Sequence, residues 1–91
     1  MSAPVDFEQL TIGTTAVSLA VTKARVCDAA TLRFGGGDIR YRFDGVAPTA
    51  SYGIPGLDGE TLVLSRPEAI GMRFIRSGDV DGVVYATYYQ N

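Results

Sequence analysis

The stretch that decides the fold is IRYRFDG, residues 39–45. Its isoleucine, tyrosine and phenylalanine alternate with two arginines, and an Asp-Gly pair follows them. Successive side chains of a β-strand point to opposite faces of a sheet, so this alternation predicts a strand with one buried face and one solvent-facing face. The Asp-Gly pair predicts a turn at the end of the strand, because glycine supplies the positive φ that many turns need.

The same alternation recurs along most of the chain. It predicts about seven strands, which we place at residues 5–12, 15–21, 27–34, 38–43, 60–65, 71–77 and 83–90. The segment GGGD at 35–38 is predicted to be a hairpin turn with positive φ, and residues 44–59 are predicted to be irregular. One helical turn is predicted at 65–70, where a serine precedes a proline and an acidic residue. Short strands at this spacing indicate an all-β fold, either a small antiparallel β-sandwich or a partly open barrel, and we favour the sandwich.

The apolar positions of the predicted strands define a candidate core. We expect it to contain Leu19, Leu32, Phe34, Ile39, Tyr41, Phe43, Leu62, Leu64 and Phe74. The single cysteine, Cys27, lies at the start of a predicted strand. We expect it to be buried and reduced, because free cysteine behaves as a small hydrophobic residue.

Composition limits the chemistry that this chain can perform. Its 91 residues, predicted to form one domain at 1–91 with a flexible arm at 1–4, include no histidine and one cysteine. The chain therefore offers neither a histidine-activated nucleophile nor a Cys/His metal site nor an intrachain disulfide. The acids Asp79 and Asp81 are interpreted as solvated turn residues rather than as a calcium site, because the rest of a calcium loop is missing. We expect a non-enzymatic protein without a cofactor or a metal ion.

Charge and hydropathy exclude two kinds of partner. The net charge is −2 and the isoelectric point is near 4.8, which argues against a surface that binds nucleic acid. No apolar run approaches the roughly 20 residues that a membrane-spanning helix needs. The N-terminus carries no basic residue followed by an apolar block, so we expect synthesis in a cytoplasm rather than secretion.

The arginines of the deciding strand are candidates for a partner interface. Arg40 and Arg42 fall on one face of the predicted strand, and Arg33 is expected on an adjacent strand. Such a row could form bidentate pairs with carboxylates of another protein. The alternative is an outer face balanced by acids of the same chain, such as Asp44 or Asp38.

The last predicted strand carries the tyrosines Tyr85, Tyr88 and Tyr89. They fall on both faces of that strand, so they cannot all point into one core. We expect Tyr88 and Tyr89 to lie outside the core and to anchor a partner, with Tyr85 as a further interface residue, next to an open sheet edge that offers its backbone to another chain. Tyrosines that simply face solvent are the alternative.

Residues 39–51, IRYRFDGVAPTAS, resemble a pattern shared by two protein families. Its recognisable positions are Asp44 and Gly45, which form a turn, and Pro48 and Thr49, which follow it. One family is the immunoglobulin-like module at the C-terminus of chitobiase-type glycosidases. The other consists of small single-domain proteins encoded among the structural genes of tailed bacteriophages, and the chain resembles them from residue 11 to residue 89. Because the glycosidase module accompanies a large catalytic domain that this chain lacks, the phage family is favoured.

The resemblance implies an immunoglobulin-like β-sandwich and a non-enzymatic role in the virion. The protein would be head-associated, as a capsid decoration or cement protein that stabilises the shell. Its partners would be the major capsid protein or other virion proteins, with a homo-oligomer allowed, and it would reach the virion after synthesis in the host cytoplasm. A head–tail or tail component is one alternative. A carbohydrate-binding or adhesion module is another, and Tyr52 would then be its exposed aromatic platform.

Overall fold

The strands of this chain are divided between two antiparallel sheets. The structure, a computed structural model, describes residues 3–90. Its elements are β1 (Ala3–Ile12), β2 (Val17–Ser18), α1 (Val21–Ala24), β3 (Ala29–Gly36), β4 (Ile39–Arg42), β5 (Ile54–Gly56), β6 (Thr61–Ser65), α2 (Arg66–Gly71), β7 (Arg73–Arg76) and β8 (Gly82–Gln90). Sheet A has the strand order β1-β8-β3-β6, and sheet B has the order β2-β7-β4-β5. The predicted small antiparallel β-sandwich is confirmed.

The pairing pattern is that of one long hairpin rolled into a sandwich. β1 pairs with β8, β2 with β7, β3 with β6 and β4 with β5, so the tip of the hairpin lies between β4 and β5. Rolling adds the pairs β3–β8 and β4–β7. This is the strand order of a jelly roll. The immunoglobulin-like order expected from the resemblance is wrong, because that order keeps the last two strands in one sheet whereas β7 and β8 lie in different sheets.

Two short elements were not predicted from the sequence. β5 lies in the stretch expected to be irregular, and it forms because Ile54 and Pro55 pair with β4 at the edge of sheet B, where a proline is tolerated. α1 replaces the end of the second predicted strand, and its first turn is closed by the amide of Ala24, which donates to the carbonyl of Ala20 at 2.9 Å. Valine and threonine favour strands, but this preference depends strongly on the surroundings of the segment, so tertiary context decides their conformation here.

The predicted helical turn at 65–70 is confirmed as α2. The backbone amide and the hydroxyl of Ser65 both donate to the carboxylate of Glu68, at 2.8 and 2.9 Å. The guanidinium of Arg66 then ties the helix to the segment before β3, where its Nε donates to the carbonyl of Cys27 at 2.6 Å. No helix within residues 3–90 is long and apolar enough to cross a membrane.

The triple glycine joins the two sheets and does not form a hairpin. It connects β3 of sheet A with β4 of sheet B, so the predicted hairpin is wrong although the expected positive φ occurs at Gly36, at 72°. The segment between β7 and β8 makes the second crossing at the same end of the molecule. The amide of Gly37 donates to the carbonyl of Asp81 at 3.1 Å, and a Cβ at Gly37 would overlap the carbonyl of Val80. Glycine is needed here because two chain crossings touch.

The core lies between the inner faces of the sheets. Its buried residues are Ile12, Leu19, Ala24, Cys27, Ala30, Leu32, Phe34, Ile39, Tyr41, Leu64, Ala69, Met72, Phe74, Val84, Ala86 and Tyr88. Phe34 stacks on Tyr41 with ring centroids 5.4 Å apart and meets Phe74 edge to face at 6.4 Å. Most of the predicted core residues are confirmed, and Leu62 packs against the core while partly exposed.

Phe43 is the error in the predicted core. Its side chain is 41% exposed, because β4 ends at Arg42 and the strand alternation does not continue to the next residue. Cys27 is buried and free, as predicted, and its thiol donates to the carbonyl of Ala24 at 3.1 Å. Burial raises the pKa of this thiol. The strand β1 already includes Ala3 and Pro4 of the expected arm, whereas residues 1 and 2 lie outside the described chain.

Because Phe74 is buried and Phe43 is partly exposed, their replacement by alanine should lower the free energy of unfolding by different amounts. Phe74→Ala empties a fully buried site and should lower the free energy of unfolding by about 3–5 kcal/mol. Phe43→Ala removes a ring that already contacts water, so the loss should be about 1 kcal/mol. Equilibrium unfolding in urea measures both values. Equal losses would contradict the position of Phe43 outside the core.

Candidate interaction surfaces

Tyr88 is a core residue, so the prediction that it anchors a partner is wrong. β8 lies in the interior of sheet A, and every second side chain of this strand points between the sheets. The Tyr88 ring is fully buried, and its hydroxyl donates to Oε1 of Glu8 on the neighbouring strand β1. The same oxygen accepts the backbone amide of Ala20 at 2.9 Å. One carboxylate therefore joins β1, β8 and the start of α1.

The chemistry around the Tyr88 hydroxyl keeps it protonated. Burial is the main cause that raises the pKa of Tyr88 above its ordinary value, and the hydrogen bond to Glu8 raises it further. A neutral hydroxyl can donate to the carboxylate, whereas a phenolate could not. Among the described residues, every buried side-chain nitrogen or oxygen has a hydrogen-bond partner.

The predicted open edge at the last strand is also wrong. β8 is hydrogen-bonded to β1 on one side and to β3 on the other. The outer strand is β1, and its free edge is partly covered. A bulge interrupts it between Pro4 and Asp6, and the ammonium of Lys23 donates to the carbonyl of Phe7 at 3.0 Å while it pairs with Asp6 at 3.4 Å. Bulges, prolines and charges at an edge oppose the addition of a further strand.

Arg40 and Arg42 point outward from sheet B, but both are engaged within their own chain. Arg40 donates to the carbonyls of Ala50 and Gly53, at 3.0 and 2.9 Å. Arg42 forms a bidentate pair with Asp44, and its guanidinium lies over the ring of Tyr52 at 5.5 Å from the centroid. The hydrogen bonds from Arg42 lower the pKa of Asp44. The interpretation in which acids of the same chain balance these arginines is confirmed for Arg42.

The arginines and the tyrosines do not form one surface. Arg40 and Arg42 lie on the outer side of sheet B, whereas Tyr85 and Tyr89 lie on the outer side of sheet A. The two sets of side chains therefore point away from each other. Arg33 belongs to sheet A as well, so it is not the neighbour of the other arginines that the sequence predicted.

The turn residues of the motif shape a cleft at the tip of the rolled hairpin. This tip loop comprises residues 43–53. The amide of Gly45, which has a φ of 82°, donates to the carbonyl of Gly71 at 3.0 Å, so the turn is attached to the end of α2. Pro48 is buried, and Thr49 forms a two-bond bridge with Tyr52 at 2.9 and 3.2 Å.

The tip cleft has an aromatic and apolar rim. It has a volume of about 450 Å³, and its lining residues are Arg42, Phe43, Asp44, Ser51, Tyr52, Gly53 and Ile54. Tyr52 is 67% exposed, which makes it the most accessible tyrosine of the described chain. The sequence singled out Tyr52, but it did not reveal that Phe43 and the Arg42–Asp44 pair lie beside it.

Sheet A presents a second surface, which the sequence did not reveal as a unit. We call it the sheet A face. Its outward residues, assigned from the strand register, are Pro4, Phe7, Gln9 and Thr11 of β1, Val83, Tyr85, Thr87 and Tyr89 of β8, Ala29, Thr31, Arg33 and Gly35 of β3, and Thr61, Val63 and Ser65 of β6. Among these described positions the only charged side chain is Arg33. The outer side of sheet B, by contrast, carries Arg40, Arg42 and Arg73.

The acids considered for a cation site are dispersed. Within residues 3–90, no three His, Cys, Asp or Glu side chains come together in a group that could hold a metal ion. Asp81 pairs instead with Arg76 at 2.7 Å. No family model, curated protein or solved structure matches the chain. The function is therefore inferred from the surfaces of the chain and from the resemblance of residues 39–51.

The hydrogen bond between Tyr88 and Glu8 predicts that loss of the Tyr88 hydroxyl destabilises the protein, whereas loss of another tyrosine hydroxyl of β8 does not. Tyr88→Phe removes a hydrogen bond to a charged group and leaves the carboxylate with less compensation, so the free energy of unfolding should fall by about 2 kcal/mol. Tyr85→Phe is the matched control, because that tyrosine points to solvent from the same strand, and its effect should stay within about 0.5 kcal/mol. Urea unfolding of both variants measures the difference. Equal effects would contradict the buried hydrogen bond.

Proposed function

We propose that the protein is a non-enzymatic structural protein of a tailed-phage virion, bound to the head shell as a decoration or cement protein. The observation that carries the proposal is the resemblance of residues 39–51 to the small proteins encoded among phage structural genes. In this chain those residues form β4 and most of the tip loop. The loop is built by the motif residues Asp44, Gly45, Pro48 and Thr49. The motif therefore shapes the loop that lines the tip cleft, and a binding surface needs such a fixed shape.

The architecture is compatible with this role. Jelly rolls recur in viral capsid proteins, and also in lectins, so the fold supports the proposal by analogy only. The tip cleft adds a more specific argument. It brings Arg42, Phe43 and Tyr52 together at one surface, and arginine and aromatic residues are enriched at protein interfaces.

The proposed mechanism is repeated weak contact. A domain of this size buries a modest area against each neighbour, and symmetry repeats that contact over the whole shell. A copy that touches two capsid subunits at once gains affinity, because the second contact is made at a high effective concentration. Copies that bridge subunits in this way would resist the separation of those subunits under internal pressure.

The first test is the composition of the particle. Virions purified from the bacterium that carries the gene should contain this chain, detectable by peptide mass spectrometry. A decoration protein should be present in an amount comparable with the major capsid protein, whereas a head–tail or tail component should be present in a few copies. Absence from the particle would reject the proposal in all of these forms.

The second test locates the contact. Tyr52→Ala should weaken binding to shells that lack the protein by about 2 kcal/mol, or roughly 30-fold, if the ring is an interface anchor. Tyr85→Ala is the matched control, because it removes a tyrosine from sheet A. Both variants should unfold at the wild-type urea concentration. If only Tyr85→Ala loses binding to the shells, the contact with the capsid lies on sheet A and not at the tip.

A carbohydrate-binding or adhesion module is the second candidate. The exposed ring of Tyr52 beside the Arg42–Asp44 pair is the observation that favours it, since sugar sites combine an aromatic face with polar side chains. A glycan array separates the two candidates. If the protein is absent from virions and binds a glycan in a way that depends on Tyr52, the result would support the carbohydrate-binding hypothesis.

A further inference from the structure

We propose that the sheet A face is a self-association surface on which a second copy of this chain docks face to face. This inference goes beyond the proposed function and does not depend on it. It rests on the charge distribution of the molecule, on the register of sheet A and on the area of the face.

The first argument is the lack of charge. The chain contains eight basic and ten acidic residues, yet the outward positions of the four described strands of sheet A include only Arg33. The two outer strands of the face are the most accessible part: Phe7 on β1 is 51% exposed and Val63 on β6 is 69% exposed. Burial of such a face removes apolar area from water and desolvates few charges, namely Arg33 and, at one end of the face, the carboxylate of Asp58 beside Gly35.

The second argument is self-complementarity. One row of the face runs straight across the sheet through Phe7, Thr87, Thr31 and Val63, in the order of the strands. A two-fold axis parallel to the strands, midway between β8 and β3, would bring Phe7 of one copy against Val63 of the other. It would also bring Thr87 against Thr31. Aligned sheets pack about 10 Å apart with interdigitating side chains, so these pairs would touch.

The neighbouring rows fit the same axis. Tyr89 and Ala29 are opposite one another on β8 and β3, so the two-fold axis would set the large tyrosine of each copy against the small alanine of the other. In the row on the other side of the central row, Tyr85 is opposite Arg33, and the axis would bring the guanidinium of each copy near the tyrosine of the other copy. Stacking on an aromatic ring suits arginine, so the charge of Arg33 gains a partner.

The third argument is area. Three strands contribute about eight residues each and β6 contributes 5, at about 3.3 Å per residue and about 4.8 Å between strands. The face therefore covers about 450 Å², and two copies would bury about 900 Å² in total, which is the size of a weak, transient interface. We expect a reversible dimer that is populated at high protein concentration and dissociates on dilution. Strand addition at β1 is the less favourable mode, because Lys23 already covers part of that edge.

The experiment is sedimentation of the purified chain over a wide concentration range. The wild-type protein should show a monomer–dimer equilibrium. Val63→Arg places a charge in the central row and should weaken dimerisation at least tenfold. Val80→Arg is the matched control, because Val80 is similarly exposed, at 64%, but lies in the connection between β7 and β8. A wild-type chain that stays monomeric, or equal effects of the two substitutions, would overturn the proposal.

A mixing experiment tests the two-fold register itself. Phe7→Asp and Val63→Arg chains should each be monomeric when alone. When mixed, they should form a heterodimer, because Asp in one chain would meet Arg in the other while the second Phe7–Val63 contact stays intact. Circular dichroism confirms that each variant is folded, and the Phe7→Asp chain still tests the face if the other variant does not fold. Failure of the mixture to associate would overturn the register. These measurements use the protein alone, so their outcome is separate from its presence in virions.

Discussion

The rest of the structure depends on the pairing of β8 with strands on both of its sides. β8 binds β1 and β3, and it thereby joins the two ends of the chain in the middle of sheet A. Closing so large a loop costs chain entropy, and the ladder must compensate for it together with the buried residues Val84, Ala86 and Tyr88. Once this pairing is made, β7 crosses to sheet B, where it lies between β2 and β4.

The same pairing decides the role of each tyrosine of β8. A strand inside a sheet of a sandwich has one face in the core and one face outside. Tyr88 is therefore buried, and it needs Glu8 as a partner for its hydroxyl, because an unpaired hydroxyl in a core is costly. Tyr85 and Tyr89 are left on the outer face, where they contribute area without charge. Three tyrosines of one strand thus lie in two different environments.

The two outer faces of the sandwich have different chemistry. Sheet B carries arginines that are occupied by the tip loop: Arg40 binds its carbonyls, and Arg42 binds Asp44 and covers one side of Tyr52. These side chains hold the loop in the shape that creates the cleft. The strands of the sheet A face carry one charged outward residue, Arg33, and the carboxylate of Asp58 lies at one end of the face, beside Gly35. The molecule therefore offers a shaped, polar-rimmed site at the tip and a flat surface on sheet A, suited to two different kinds of contact.

The sequence by itself determined most of the strands, the class of fold and most of the core. The alternation in IRYRF depends only on the two-residue repeat of a strand, so Ile39 and Tyr41 could be assigned to the inside without knowledge of any partner strand. The burial of Cys27 and the capped turn of α2 were likewise accessible, since both follow from local chemistry.

The tertiary structure alone decided which strands are neighbours, and with that the nature of every candidate surface. Alternation says that a side chain faces one side of a sheet, but it does not say whether the strand is central or at an edge, or to which sheet it belongs. For this reason the sequence placed Tyr88 at an interface, Arg33 beside Arg40, and an open edge at the last strand. The order of strands depends on long-range hydrogen bonds and on the rolling of the whole hairpin, and these are properties of the chain as a unit rather than of any one segment.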